Sequence, residues 1–145
     1  RNRNKAGNNW MNYLIDTNTC IYIMNRRPRG IIDKCRQFQP GDIAVSAITV
    51  SELQYGVAKS SSPLKNQSRL DEFLLPFDIL PYDEAVAQVY GTIRSRLEKQ
   101  GKPIGPLDCL IAAHALSRGL ILITNNEKEF ARIQNLRIEN WLQVP

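Results

Sequence analysis

The chain has 145 residues, 43% of them hydrophobic and 23% charged, with a formal charge of +5. That is one domain's length, enough to bury a continuous core, in the composition range of a soluble globular protein. No apolar run approaches the ~20 residues of a membrane span, and the basic N-terminus lacks the apolar segment of a signal peptide.

Residues 1–10 are polar and aperiodic, and Met11 reads as a natural start. Residues 1–10 are therefore expected to be an added leader or disordered arm, with the domain in 11–145. Three of the positive charges belong to Arg1, Arg3 and Lys5, and the +2 left over argues for no nucleic-acid partner by itself. Tyr13 to Ile15 is a short buried-strand candidate ending in Asp16-Thr17-Asn18, with a helix starting near Thr17 and Arg26, Arg27 and Arg29 clustered after it. Ile43 to Val45 is a second strand ending in Ser46, followed by a helix from about Ile48 to Lys59. Ser60 to Pro63 is a loop, 65–75 a helix, and Phe77 to Leu80 a strand stopped by Pro81. Val86, Val89, Tyr90, Ile93 and Leu97 repeat at the helical period and predict a helix over 83–99. After a loop from Gly101 to Gly105, Pro106 suits the first turn of a helix that runs to Ser117 or Arg118 and closes at Gly119. Leu120 to Ile123 is the clearest strand, ending in Thr124-Asn125-Asn126, and Leu136 to Ile138 reads as a short edge strand. Alternating strands and helices imply an α/β fold of three layers, α/β/α, with a mostly parallel central sheet. Ligands of such folds bind outside the carboxyl ends of the strands.

Cys20, Cys35 and Cys109 are odd in number and have no close pair, which suits a reducing cytoplasm better than a disulfide framework or a thiolate zinc site. His114 is the only histidine, so a catalytic histidine network is excluded. It lies about 240° around its helix from Asp108 and reads as structural.

Three acids fall near strand ends: Asp16 after the first strand, Glu52 in the helix after the second, and Asp108 in the first turn opened by Pro106. Each has a plain alternative, as a helix cap, a solvated surface glutamate, or a partner of the helix dipole. Asp108 shares a helix face with Ile111, Ala112 and Ala115, and Glu52 shares one with Ile48, Tyr55 and Gly56. A carboxylate on an apolar face is costly without a partner, and no inward Arg or Lys is evident. If the three converge, each pair about 4 Å apart repels by ~4 kcal/mol at an effective dielectric near 20. Such a cluster takes up protons or binds hard cations, Mg2+ or Mn2+ by its oxygen donors.

Four segments together resemble PIN domains: Tyr13-Leu14-Ile15-Asp16-Thr17-Asn18, the run from Ser46 to Gly56, the run from Pro103 to Ala115, and the run from Leu122 to Phe130. The final Leu136-Arg137-Ile138-Glu139-Asn140-Trp141 also fits, so the likeness spans about 11–141. Within the family the chain is similar to the VapC toxins of type II toxin–antitoxin pairs. The wording Gly101-Lys102-Pro103-Ile104-Gly105-Pro106-Leu107-Asp108 and Ser117 to Asn126 resembles the branch that cuts the anticodon stem-loop of initiator tRNA and so blocks translation.

The resemblance implies a metal-dependent endoribonuclease with Asp16, Glu52 and Asp108 as ligands of Mg2+ or Mn2+. It also implies that Thr17 and Asn18 shape the first loop, and that Ser46 and Thr124 hydrogen-bond the acids or a ligand water. Many PIN domains carry a fourth acid where this chain has Asn126, and Glu129, about one turn on, is the expected substitute. A homodimer, and a VapB-like antitoxin whose tail covers the acids, are implied as well. Arg94, Arg96, Lys99 and Lys102 are candidate RNA phosphate contacts, as part of a basic cluster beside the Asp108 loop, or else a solvated face. Phe73, Leu74, Leu75 and Phe77 are core or an association groove. Two alternatives carry different chemistry. A haloacid-dehalogenase phosphatase would use Asp16 and Thr124 but lacks its second Asp, since Asn18 stands there. A non-catalytic interaction module would use the acids only as caps.

Overall fold

The computed structural model describes residues 12–39 and 41–142, so the expectations for residues 1–10 and Met11 lie outside the described residues. The chain runs β1 (Tyr13–Ile15), α1 (Thr17–Met24), α2 (Gly30–Cys35), β2 (Ile43–Ser46), α3 (Ala47–Lys59) and α4 (Pro63–Leu74). It continues through β3 (Asp78–Leu80), α5 (Glu84–Lys99), α6 (Pro106–Arg118), β4 (Ile121–Ile123), α7 (Glu127–Phe130) and β5 (Ile138–Glu139). The five strands form one sheet in the order β3-β2-β1-β4-β5, with every pairing parallel. The chain winds outward from β1 to β3, then crosses back to β4. The gap between β1 and β4 is thus the switch point where an open parallel sheet binds ligands.

Strand alternation builds two cores. Leu14, Ala44 and Leu122 point to one face and pack with Val86, Ile93, Leu97, Ile111 and Phe130 under α5, α6 and α7. Their neighbours Ile15, Ile43, Val45 and Ile123 point to the other and pack with Cys20, Ile23, Ile31, Leu53 and Leu70 under α1 to α4. Burial on both faces explains why the strands read as continuous apolar runs. Trp141 stacks on Phe38, ring centroids 5.0 Å apart, with Tyr13 edge-on to both, so the C-terminal segment is fastened beside β1.

Helix ends follow their sequence signals. Asp16, Ser46 and Asp83 cap α1, α3 and α5 through their side chains. Pro63 and Pro106 open α4 and α6. Gly119 closes α6 in the left-handed conformation, φ 65°.

Three expectations shift. Residues 30–35 carry no helix signal in the sequence, and α2 forms there as a short element with no side-chain cap. The edge strand pairs at Ile138–Glu139 instead of 136–138, because Asn135 turns the chain at φ 70° and only the Arg137 carbonyl begins the ladder, accepting from Leu122 N. Phe73, Leu74 and Phe77 pack on the second core, whereas Leu75 is 81% exposed.

A Cβ at Gly119 would meet no atom within 4 Å, so a substitution there is resisted by the backbone alone. Gly119→Ala is expected to lower the unfolding free energy by about 1 kcal/mol, read as a lower urea midpoint with an unchanged slope.

Candidate active site

Register places the site. Tyr13 pairs with Ile43 and Ile121, and Ile15 pairs with Ile123. One step further along the strands, Asp16 therefore sits between Ser46 and Thr124 at the carboxyl edge of the three central strands. The Asp16 amide donates to the Ile123 carbonyl at 3.0 Å, so the ladder continues to the acid itself.

Asp16 is 5% exposed. Its Oδ1 accepts from the Thr19 amide at 2.9 Å, so it does cap α1 as the plain reading supposed. Burial raises its pKa, and hydrogen bonds from the Thr124 hydroxyl and from Thr19 hold part of that rise back. Thr124, fully buried, also accepts the Asn126 amide at 2.9 Å and so turns the chain after β4 into α7.

Glu52, half-buried on the second turn of α3, accepts from the Thr17 hydroxyl at 2.5 Å. Thr17 also lies 3.2 Å from the hydroxyl of Thr49, which is fully buried one turn before Glu52. The expected apolar face around Glu52 is only partly so. Tyr55 is 66% exposed and its ring lies under Lys59 Nζ at 4.8 Å.

Asp108, half-buried in the first turn of α6, lies over Ile111, Ala112 and Ala115, all buried as expected. Its pKa is pushed up to about 6, first by burial and then by the negative charges of Glu129, Asp16 and Glu52. No Arg or Lys enters that balance. Glu129, half-buried on α7, accepts from Asn126 Nδ2 at 3.1 Å. Asn126, at the position where many PIN domains carry an acid, thus bonds the residue expected to substitute for it. Asn18 is exposed on α1.

The four acids therefore share one electrostatic field. Among the described residues, no three His, Cys, Asp or Glu side chains are gathered as tightly as an ion's own ligands. An ion would have to draw Glu52 off Thr17 and Asp108 inward. The donor set suits a hard cation. All four groups offer carboxylate oxygen, Asp108 and Glu129 have no cationic partner among the described residues, and their mutual repulsion is what a divalent ion relieves.

Ser46 does something other than bond an acid. Its hydroxyl accepts the Ile48 amide at 3.0 Å and lies 2.8 Å from His114 Nδ1. The basic residues also divide. Arg94 bonds Glu98 and the Tyr90 hydroxyl, and its charge reaches Cys109 next to Asp108. Arg96, two residues on and across the helix, bonds Gln134 on the far side of α5. Lys99 lines a shallow cavity with Arg96 on that far side, and exposed Lys102 lies in the loop before α6. Thr49 was not singled out from sequence. Its signal is a β-branched hydroxyl one helical turn before an acid.

A five-stranded parallel sheet with acids at its switch point is the geometry of a PIN nuclease, and the PIN domain family profile matches residues 13–136. The chain belongs to the PIN domain family. Its relatives within that family are VapC ribonucleases. It is 46% identical over 132 residues to ribonuclease VapC2 of Haemophilus influenzae, covering 91% of this chain and 99% of that protein. It is 41% identical over 131 residues to the tRNA(fMet)-specific endonuclease VapC of Shigella flexneri, covering 90% and 98%. The crystal structure of DNA-bound VapBC from Salmonella typhimurium superimposes with a TM-score of 0.86 at 40% identity, over 90% of this chain and 98% of that one. Family membership sets aside the haloacid-dehalogenase alternative.

The folded-state pKa of Asp108, about 6, lies above its ordinary value of 3.8, so the native state holds the proton more tightly. Its protonation stabilises the fold fully below the ordinary value, and that stabilisation is lost as pH rises through about 6. In melts of metal-free protein across this window, Tm of Asp108→Asn is expected to change less than that of wild type and to exceed it at neutral pH. Parallel curves would contradict the charge balance described.

Proposed function

We propose that this chain is a divalent-metal-dependent endoribonuclease acting as the toxin of a toxin–antitoxin pair, with an RNA of the tRNA class, initiator tRNA first, as substrate. The observation that carries the reading is the placement of Asp16, Glu52, Asp108 and Glu129 after the strands of a parallel sheet at its switch point, where burial and the other three acids raise the Asp108 pKa and no cation offsets them. The names of its relatives, a ribonuclease and a tRNA(fMet)-specific endonuclease, support the substrate class. Divalent-metal dependence is general to PIN-domain VapC nucleases.

Asp16, Glu52 and Asp108 would hold the ion, with Glu129 joining directly or through water. Hard oxygen donors favour Mg2+ or Mn2+. When bound, the ion supplies an activated water and neutralises charge that builds on the phosphate oxygens. The protein's part is positioning. Thr19 and Thr124 fix the buried Asp16 carboxylate, Asn126 orients Glu129, and Thr17 holds Glu52 until an ion draws it away. Arg132 Nη1 donates to the Pro103 carbonyl at 3.0 Å and holds down the loop that delivers Asp108. Arg94 and Lys102 would meet substrate phosphates, whereas Arg96 and Lys99, on the other side of α5, would contact only more distant RNA. The one histidine is buried against Ser46, so general acid–base catalysis by histidine has no candidate. Water as nucleophile leaves a 5′-phosphate and a 3′-hydroxyl.

The proposed antitoxin has a surface beside the acids. A groove of about 190 Å3 between α1, α3 and α4 is lined by Glu52 together with Ile21, Met24, Leu53, Val57 and Leu70. An apolar segment lying there would end next to Glu52. The proposal treats 11–145 as the working nuclease, acting as a homodimer in the cytoplasm. No helix among the described residues is long and apolar enough to cross a membrane.

Asp16→Asn and Asp108→Asn are each expected to weaken Mn2+ binding, measured by isothermal titration, and to cut RNA cleavage by about 100-fold or more. Sequenced RNA ends should map to one anticodon-loop position of initiator tRNA and carry 5′-phosphates. Equal Mn2+ binding by all three proteins would refute the metal site. Cuts scattered over other RNAs would refute the substrate alone.

A further inference from the structure

His114 is fully buried, yet it touches none of the acids. Its Nδ1 lies 2.8 Å from Ser46 Oγ, and both groups are inaccessible to solvent. Ser46 ends β2 and caps α3, whose second turn carries Glu52 six residues later. His114 lies on α6, six residues after Asp108. Among the described residues, this is the one side-chain hydrogen bond between the cap of α3 and the body of α6.

Proton counting fixes its direction. Ser46 Oγ already accepts the Ile48 amide, which leaves it one lone pair and one proton. If Nδ1 carried a hydrogen, Ser46 would accept twice and its own proton would be stranded in the core, which is costly. Unprotonated Nδ1 leaves the Ser46 hydroxyl fully satisfied by accepting that proton. The hydrogen of the neutral ring then sits on Nε2, which has no hydrogen-bond partner, and the Pro81 carbonyl is the backbone acceptor acting on the ring. The surroundings agree. Burial and the nearby Arg118 guanidinium lower the His114 pKa, against a smaller opposing pull from Asp83 and Pro81, and the Tyr82 ring meets it edge-on at 6.3 Å.

We propose that His114 is a positioning residue: by accepting the Ser46 hydroxyl proton at Nδ1, it ties the start of α3 to α6 and sets how closely Glu52 and Asp108 approach each other. The proposal rests on the metal-site reading above and adds a device for it. Rigid helices convert a shift at this link into a change in carboxylate spacing, and groups that orient ligands from behind cost about 10–100-fold in metal affinity when lost.

The full chain can be tested directly because it contains a single histidine. Nitrogen-15 spectra of wild type near neutral pH should show Nδ1 unprotonated and Nε2 protonated, with Nδ1 shifting in Ser46→Ala. A protonated Nδ1 overturns the proposal. His114→Leu fills the site without the bond. It should keep a cooperative melt but bind Mn2+ about 10–100-fold more weakly, with kcat reduced and KM for RNA little changed. His114→Asn, whose amide oxygen falls near the place of Nδ1, should restore most of the affinity. Should the leucine variant fail to fold, Ser46→Ala against Ser46→Thr makes the same comparison, the hydroxyl again restoring affinity. Wild-type affinity in bond-deleting variants overturns this proposal and leaves the metal site standing. A wild type that binds no Mn2+ overturns both.

Discussion

Repulsion among four carboxylates at one edge of a parallel sheet is the constraint around which the rest of the molecule is arranged. Asp16, Glu52, Asp108 and Glu129 come from four different elements, and Asp108 feels the charges of the other three. Unit charges a few ångströms apart in a partly buried site cost several kcal/mol per pair on an order-of-magnitude scale. A fold with no function for that arrangement would have been more stable with an arginine nearby. None enters the balance at Asp108. The cost is tolerated because the two cores, built from alternating faces of the same short strands, are extensive and well filled.

The same residues serve structure and site at once. Asp16 caps α1 with one oxygen and belongs to the acidic pocket through its carboxylate charge. Ser46 caps α3 and meets His114, and Thr124 bonds both Asp16 and the turn into α7. Capping places polar side chains at strand ends, and strand ends of a parallel sheet are where ligands bind. At Asp16 a cap and a place among the clustered acids are therefore compatible.

Much of this was legible beforehand because its signals are local. Pro106 and Gly119 bracket α6, the apolar period from Val86 to Leu97 marks α5, and short apolar runs ending in polar residues mark β1, β2 and β4. The nearness of Asp16 and Glu52 to Asp108, which feels the charge of both, follows from their positions after strands, and Glu129 stood out by lying one turn beyond Asn126. What escaped depends on contacts distant in sequence. Isolated α2 lacks a capping residue, and β5 slips because of a left-handed Asn135. Helical spacing puts Tyr55 on a mostly apolar face, yet it is 66% exposed. The His114 to Ser46 bond joins residues 68 positions apart, which no local pattern announces.

The account stands on one physical claim, that these acids are brought together to share a hard divalent ion. Anomalous diffraction at the manganese edge, from crystals grown with Mn2+, tests it most directly. A peak at the β1–β4 switch point within coordination distance of Asp16 and Asp108, with Glu52 released from Thr17 toward it, is the result expected. Crystals that show no such peak at saturating Mn2+, or a peak elsewhere while Glu52 still bonds Thr17, would contradict it.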